Sequence, residues 1–319
     1  MASGDRKPTS LALWQKAVFF SLAFLFCAEV SRFLSSNSSL QLTFWLPAGL
    51  SVAVLLLNRT RDWPWLLAAA LPAVFIFHWL HTPISGAIIF FFYVAYVLQA
   101  VVGAWLVRCF IAECPTLATL QEFFGLLGLG AVLGPIPGAL VIAAAQSHYA
   151  STMAIVQSST AWWAGSAMAI LVFTPFVLTW CSKSTRSPDE VQSPERNVEM
   201  VFLLFALFIL SFYLLCGRPG GGFAAGGWMI LLSLWAGLRF YRRGASAVNL
   251  AITLAAAFFL AQHPVVPTAV PIGSVGYFFP IQFVLIMANL LTLIPAILLG
   301  ESARSLEKMR KSEEKSFKA

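Results

Sequence analysis

The chain has 319 residues, 59% of them hydrophobic and 10% charged, with a formal charge of +7. A soluble domain carries about 25% charged residues, and here the apolar runs turn polar only at their ends, so a water-soluble globule is excluded. The basic residues stand in short clusters between those runs and form no stripe, which excludes a nucleic-acid surface and makes them topology signals.

A helix crosses the hydrocarbon core with roughly 17 to 25 apolar residues, whereas barrel strands would alternate. In chain order the candidate spans are 11–33, 44–57, 63–80, 84–111, 120–145, 161–181, 200–216, 223–240, 245–262 and 277–299. The fold expected is all-α, a polytopic transmembrane bundle of about ten spans, with about eight as the smaller count. The first run, although near the N-terminus, lacks a small-x-small cleavage site and is expected to be retained. The second is short and interrupted by Pro47 and Gly49. Residues 1–10 are expected to be a cytoplasmic N-terminus, 11–300 an integral membrane domain and 301–319 a cytoplasmic helical tail. Between the sixth and seventh runs, 182–198 is rich in Ser, Pro and charge and is expected to be a linker.

Positive charge orients the bundle. Arg6 and Lys7, Lys16, Arg59 and Arg61, Arg108, then Lys183, Arg186 and Arg196, then Arg239, Arg242 and Arg243, and the six basic residues of the tail all fall on one side. Only Arg32 and Arg218 fall on the other. Both termini are therefore expected on the cytoplasmic face of a bacterial inner membrane. Tryptophan favours membrane interfaces, which places Trp14, Trp63, Trp65 and Trp180 near inner ends and Trp45, Trp79, Trp162 and Trp163 near outer ends.

Ionisable residues inside spans are functional candidates because buried charge is costly. Glu29 and Arg32 stand one turn apart near the outer end of the first run, as a local ion pair or as part of a ligand pocket. His78, His81, His148 and His263 gather near the outer side, where polar caps are expected in preference to a pH- or metal-responsive surface. Gly130, Gly134 and Gly138 form a GxxxGxxxG row broken by Pro135 and Pro137; close packing is the expected role and a broken helix at a binding site the alternative. Gln99, Gln282 and Asn289 are expected to bond across helices. Five cysteines without paired spacing support neither a disulfide framework nor a zinc site. The NSS at Asn37 fits an outside glycosylation acceptor by pattern alone. No nucleophile with a base, P-loop or metal motif occurs, so neither an enzyme nor a cofactor is expected.

The last run passes into GESARSLEKMRKSEEKSFKA without a glycine or proline stop. Leu299, Leu306 and Met309 fit a heptad, and Glu307 with Lys311 makes a favourable pair four residues apart. A helix leaving the membrane directly can carry rotation or displacement onward.

FWLPAGLSVAVLLLNRTRDWPWLL from Phe44 resembles the opening signature of the MASE1 family, membrane-associated sensor domains that precede bacterial histidine kinases and diguanylate cyclases. WWAGSAMAILVFTPFVL from Trp162 resembles its central segment, and WAGLRFYRRGAS from Trp235 its basic loop. The resemblance covers nearly the whole chain, with two departures: Ser166 where relatives often carry an acid, and Tyr241 where they often carry glycine. SLEKMRKSEEKSFKA resembles a linker into a PAS domain, so the output module is expected to lie outside these 319 residues.

By carry-over, Trp45, Pro47, Gly49, Trp163, Gly165 and Pro175 match the family's motifs, with Arg239 at the inner end. With Glu29 they are the candidate pocket-shaping or ligand-binding positions. Pro47 and Pro175 would free carbonyls within spans, Gly165 would allow close approach, and Arg239 would fix an inner helix end. The resemblance implies a sensor in two-component-type signal transduction, relaying a stimulus through the last helix; a secondary transporter or transporter subunit is the alternative, and an anchoring protein a third. Expected partners are the lipid bilayer, a cytoplasmic kinase, PAS or cyclase module in cis or in trans, another membrane protein and a second copy of the chain.

Overall fold

The computed structural model describes residues 12–35, 44–81, 84–147, 150–182, 198–203, 205–207, 209, 221–262 and 275–318. Among them every regular element is a helix: α1 Leu13–Ser35, α2 Leu46–Leu57, α3 Trp63–His81, α4 Gly86–Phe110, α5 Leu120–Gly125, a π-helical segment Leu126–Leu133, α6 Ile136–Gln146, α7 Thr152–Cys181, α8 Val198–Leu207, α9 Gly221–Gln262 and α10 Val275–Lys318. Asn37, His148, His263, Cys216, Arg6, Lys7, Arg218 and the 183–197 linker lie outside the described residues.

The helices are apolar on both faces, as lipid-embedded helices must be. In α1, Phe20, Phe24, Cys27, Ala28, Ser31 and Leu34 recur at helical spacing and are buried. Trp14, Val18, Leu22 and Phe26 recur on the other side and are exposed. One large core joins α1 through α7 and takes in Ala245 of α9 and Leu293, Ala296 and Ile297 of α10. A smaller one joins Met200, Leu203 and Leu207 of α8 to Ala236, Phe240, Val248 and Ile252 of α9.

Six helical stretches among the described residues are long and apolar enough to cross a membrane: Leu13–Ser35, Thr60–His81, Gly86–Phe110, Leu120–Gln146, Thr152–Cys181 and Leu285–Phe317. The expected count of about ten is not reached among them. The clearest departure is the second run. α2 has 12 residues, which rise only about 18 Å against a hydrocarbon core of about 30 Å. Ten of its residues are buried, so it is a short helix enclosed by its neighbours and too short to span.

The fifth run crosses as a broken rod. Its middle has π geometry, with the Gly134 N–H donating to the Leu129 carbonyl at 3.0 Å, and α6 restarts with Pro135 at its N-cap and Pro137 in its first turn, where a missing N–H costs nothing. The eighth and ninth runs meet at Tyr241, whose φ of 54° and ψ of −153° divide α9 into two limbs. α10 runs unbroken through the expected tail, and Lys311 pairs with Glu307 at 2.5 Å as anticipated.

Candidate functional site

α2 begins deep inside the bundle. Its first residues lie beside Gly165, roughly 20 Å along α7 from Thr152. A helix start leaves backbone N–H groups without internal partners, and none can be left bare in hydrocarbon. Here the Trp45 N–H donates to the Gly165 carbonyl at 3.2 Å and the Leu46 N–H to the Ser31 hydroxyl at 3.0 Å. Pro47 has no N–H, and the Ala48 N–H donates to the Trp45 carbonyl at 3.0 Å. Pro47 therefore frees no carbonyl within a span, contrary to expectation: in the first turn it removes a donor that would otherwise be stranded.

Gly49 sits where α2 crosses α7. A Cβ there would collide with the Ala169 carbonyl and come within 3.0 Å of the Phe173 Cβ. The Thr174 hydroxyl donates to the Gly49 carbonyl at 2.9 Å. Pro175, inside α7, has no N–H to offer the carbonyl of Leu171, and Leu171 lines a cavity of about 320 Å³ between α7, the π segment and α10.

Around the start of α2 lies an aromatic block. Tyr96 of α4 is stacked between Trp45, at 5.5 Å between ring centres and 13° between planes, and Trp162, at 4.8 Å and 25°. Phe77 meets Trp45 edge-on at 5.6 Å, and His78 stacks on Phe92 at 4.8 Å. The Trp162 N–H donates to the Gln99 side chain at 3.1 Å, the cross-helix bond expected of Gln99. The buried Trp45 Nε1 has no hydrogen-bond partner among the described residues.

Trp45 and Trp162, with Trp63, are buried in the core, their rings taken up by stacking or their N–H groups by hydrogen bonds. His78, in the last turn of α3, is likewise a buried stacking partner. Asn289, expected to bond across helices, is buried with neither amide atom hydrogen-bonded among the described residues.

Trp163 points away from the aromatic block. Its N–H donates to the Val132 carbonyl in the π segment at 2.8 Å. In the glycine row, a Cβ on Gly134 would lie 2.8 Å from the Gly103 Cα and one on Gly138 2.9 Å from the Ala95 carbonyl oxygen, both on α4, whereas one on Gly130 would lie 2.9 Å from the Leu126 Cδ1 of its own segment. Glu29 pairs with Arg32 at 3.0 Å and also with the His81 ring at 2.6 Å, tying α1 to α3. No cluster of metal-ligating side chains occurs among the described residues, and Ser166 is buried in α7.

At the basic end, cations meet carbonyls. α2 ends where Arg108 donates to the carbonyls of Leu55, Leu56 and Asn58 while lying 5.2 Å above the Trp63 ring. Trp63 itself donates to the Leu55 carbonyl, and Lys16 to the Asn58 side chain, both at 2.9 Å. Positive charge belongs at this end of a helix dipole. Arg59 and Arg61 are exposed beside it. Arg242 is buried and donates to the Thr116 carbonyl at 2.9 Å, and Arg243 donates to the Thr179 carbonyl at the end of α7 at 3.0 Å. Arg239 forms a two-pronged ion pair with Glu199, in the first turn of α8, at 2.7 and 3.0 Å. From α10, Arg304 donates to the Ala118 carbonyl of the same α4–α5 loop.

Sequence reasoning missed Tyr96, Phe92 and Phe77. For Phe92 and Tyr96 the signal was present as aromatic and amide residues at helical spacing in α4, from Phe92 through Tyr96 to Gln99, but nothing in a uniformly apolar helix marks which face is inward. No curated protein and no solved structure matches the chain. The MASE1 family model matches residues 13–303. With its multi-pass apolar helices and a match over nearly its whole length, the chain belongs to the MASE1 family of membrane-associated sensor domains.

Proposed function

We propose that a stimulus in the membrane, or at the end opposite the basic residues, shifts this bundle and that α10 passes the shift to a cytoplasmic kinase, PAS or cyclase module in cis or in trans. In this reading the basic end faces the cytoplasm of a bacterial cell, by the positive-inside rule, two copies stand side by side, and the chain performs no chemistry of its own. The observation that carries it is α10. One helix lines the cavity with Phe283 and Ile286, joins the core with Leu293 and Ile297, meets the α4–α5 loop through Arg304, and continues as helix to Lys318, exposed from Lys308 to Phe317. Helices that continue from a packed bundle move as rigid elements and carry displacement. Leu306 and Met309 are exposed on it, at positions suited to a second helix.

The test joins the tail to a reporter kinase or cyclase and inserts one to seven residues after Glu307, each turning the downstream helix by about 100°. Output that oscillates with insertion length, and a basal level changed by Arg304→Ala, are expected. Output indifferent to both would sink the relay. The broken α5–π–α6 rod also suits a carrier, and substrate uptake by vesicles holding only this protein would favour that reading instead.

A further inference from the structure

Trp163 separates two cavities. One, of about 320 Å³, is walled by Ala167 and Leu171 of α7, Ala131 of the π segment, and Gln282, Phe283 and Ile286 of α10. The other is an open groove of about 300 Å³, lined by α6 and by Ser159 and Thr160 of α7. Thr160, Trp163, Ala167 and Leu171 follow one another at three- and four-residue steps, so both cavities lie along a single stripe of α7. That stripe is roughly 16 Å long.

We propose that the two cavities form one binding site for a single-chain amphiphile drawn from the bilayer, an acyl chain with one small hydrogen-bonding head. The walls of the first cavity are apolar side chains, with Gln282 and the Trp163 N–H as exceptions, and that N–H is already given to Val132. Polar groups stand at the outer cavity, where the Ser159 and Thr160 hydroxyls donate to the Ile155 and Val156 carbonyls at 2.7 and 2.5 Å. Their oxygens keep lone pairs to accept a bond from a head group. The cavities lie in line and not side by side, which suits one chain and not the two of a bilayer phospholipid. The Trp163 ring lies across the middle of the stripe, held by a single hydrogen bond, and its rotation would join the halves. Because Phe283 and Ile286 wall the inner half, occupancy bears directly on α10; this coupling rests on the relay reading, whereas binding does not.

The experiment uses the full chain in nanodiscs of diacyl phosphatidylethanolamine and phosphatidylglycerol, titrated with a diazirine-bearing palmitic acid, irradiated, and mapped by peptide mass spectrometry. Saturable labelling of α7 around Trp163–Leu171 and of α10 around Phe283–Ile286 is expected, competed by unlabelled single-chain lipid. Ala167→Trp, filling the inner half, and Ala139→Leu, filling the outer half, should each lower labelling about tenfold or more with gel-filtration profile and melting temperature retained. Competition by palmitate but not by lysophosphatidylethanolamine supports the site with a free fatty acid as source; competition by both supports it with membrane lysolipid as a further source. Labelling spread evenly onto lipid-facing Phe19 and Phe26, or unchanged in both folded variants, means annular lipid only and overturns the proposal. Persistent site labelling in a chain whose tail insertions leave output unchanged would remove the relay and leave the site standing.

Discussion

The backbone N–H of Trp45 donates to the carbonyl of Gly165 at 3.2 Å, so the first residue before α2 is held by the middle of α7. Two segments more than a hundred positions apart thereby close a helix start that no water can reach. The arrangement depends on Ser31, whose hydroxyl accepts from Leu46 while donating to the Cys27 carbonyl at 2.8 Å. Pro47→Ala adds a buried N–H in the first turn of α2, where a helix supplies no acceptor of its own. It should destabilise the protein by about 1–3 kcal/mol, the cost of a stranded donor, and Ser31→Ala should cost a similar amount. Thermal unfolding in detergent measures both, and a Pro47→Ala protein as stable as the parent would contradict the account.

Gly134 and Gly103 bring α4 and the broken rod into backbone contact. Gly134→Val should lower stability by about 1–3 kcal/mol or more, as overpacking does. Gly128, in the same π segment, has nothing within 4 Å of a Cβ, so Gly128→Ala should be near neutral. Equal losses in the two variants would mean that the π geometry, and not the crossing, sets the requirement.

The bond from Trp162 to Gln99 lends itself to a double-mutant cycle. Gln99→Leu strands the indole N–H and should cost about 1–3 kcal/mol, whereas the further change Trp162→Phe removes the donor and should return part of the loss. Strictly additive losses would show the bond to contribute nothing.

Tyr241 has a backbone conformation, φ 54° and ψ −153°, that glycine adopts freely and other residues do not. Tyr241→Gly should be more stable than Tyr241→Ala by about 1–3 kcal/mol, because both lose the ring and only glycine loses the strain. Chemical unfolding of the pair tests it; an Ala variant matching the Gly variant would place the turn elsewhere.

Much of the membrane architecture was open to inference from composition and charge. Long apolar runs with basic residues at alternate ends admit few alternatives, since hydrocarbon demands helices and charge resists crossing. The Glu29–Arg32 and Glu307–Lys311 pairs were legible because they lie within one helix, where spacing alone determines proximity. Less could be read from proline and tryptophan. Pro47 and Pro175 look alike in sequence, yet one starts a buried helix and the other interrupts a long one. Adjacent Trp162 and Trp163 face the aromatic block and the cavities respectively.

Sequence by itself determined the solvent, the helical class and which ends carry the basic clusters, because these follow from transfer free energies summed over whole segments. Tertiary structure alone decided that α2 is enclosed, that Tyr96 is stacked between Trp45 and Trp162, and that Arg242 and Arg304 hold one loop from two helices. Those depend on which faces meet. In a chain apolar all round, no hydrophobic stripe distinguishes the face that packs from the face that meets lipid.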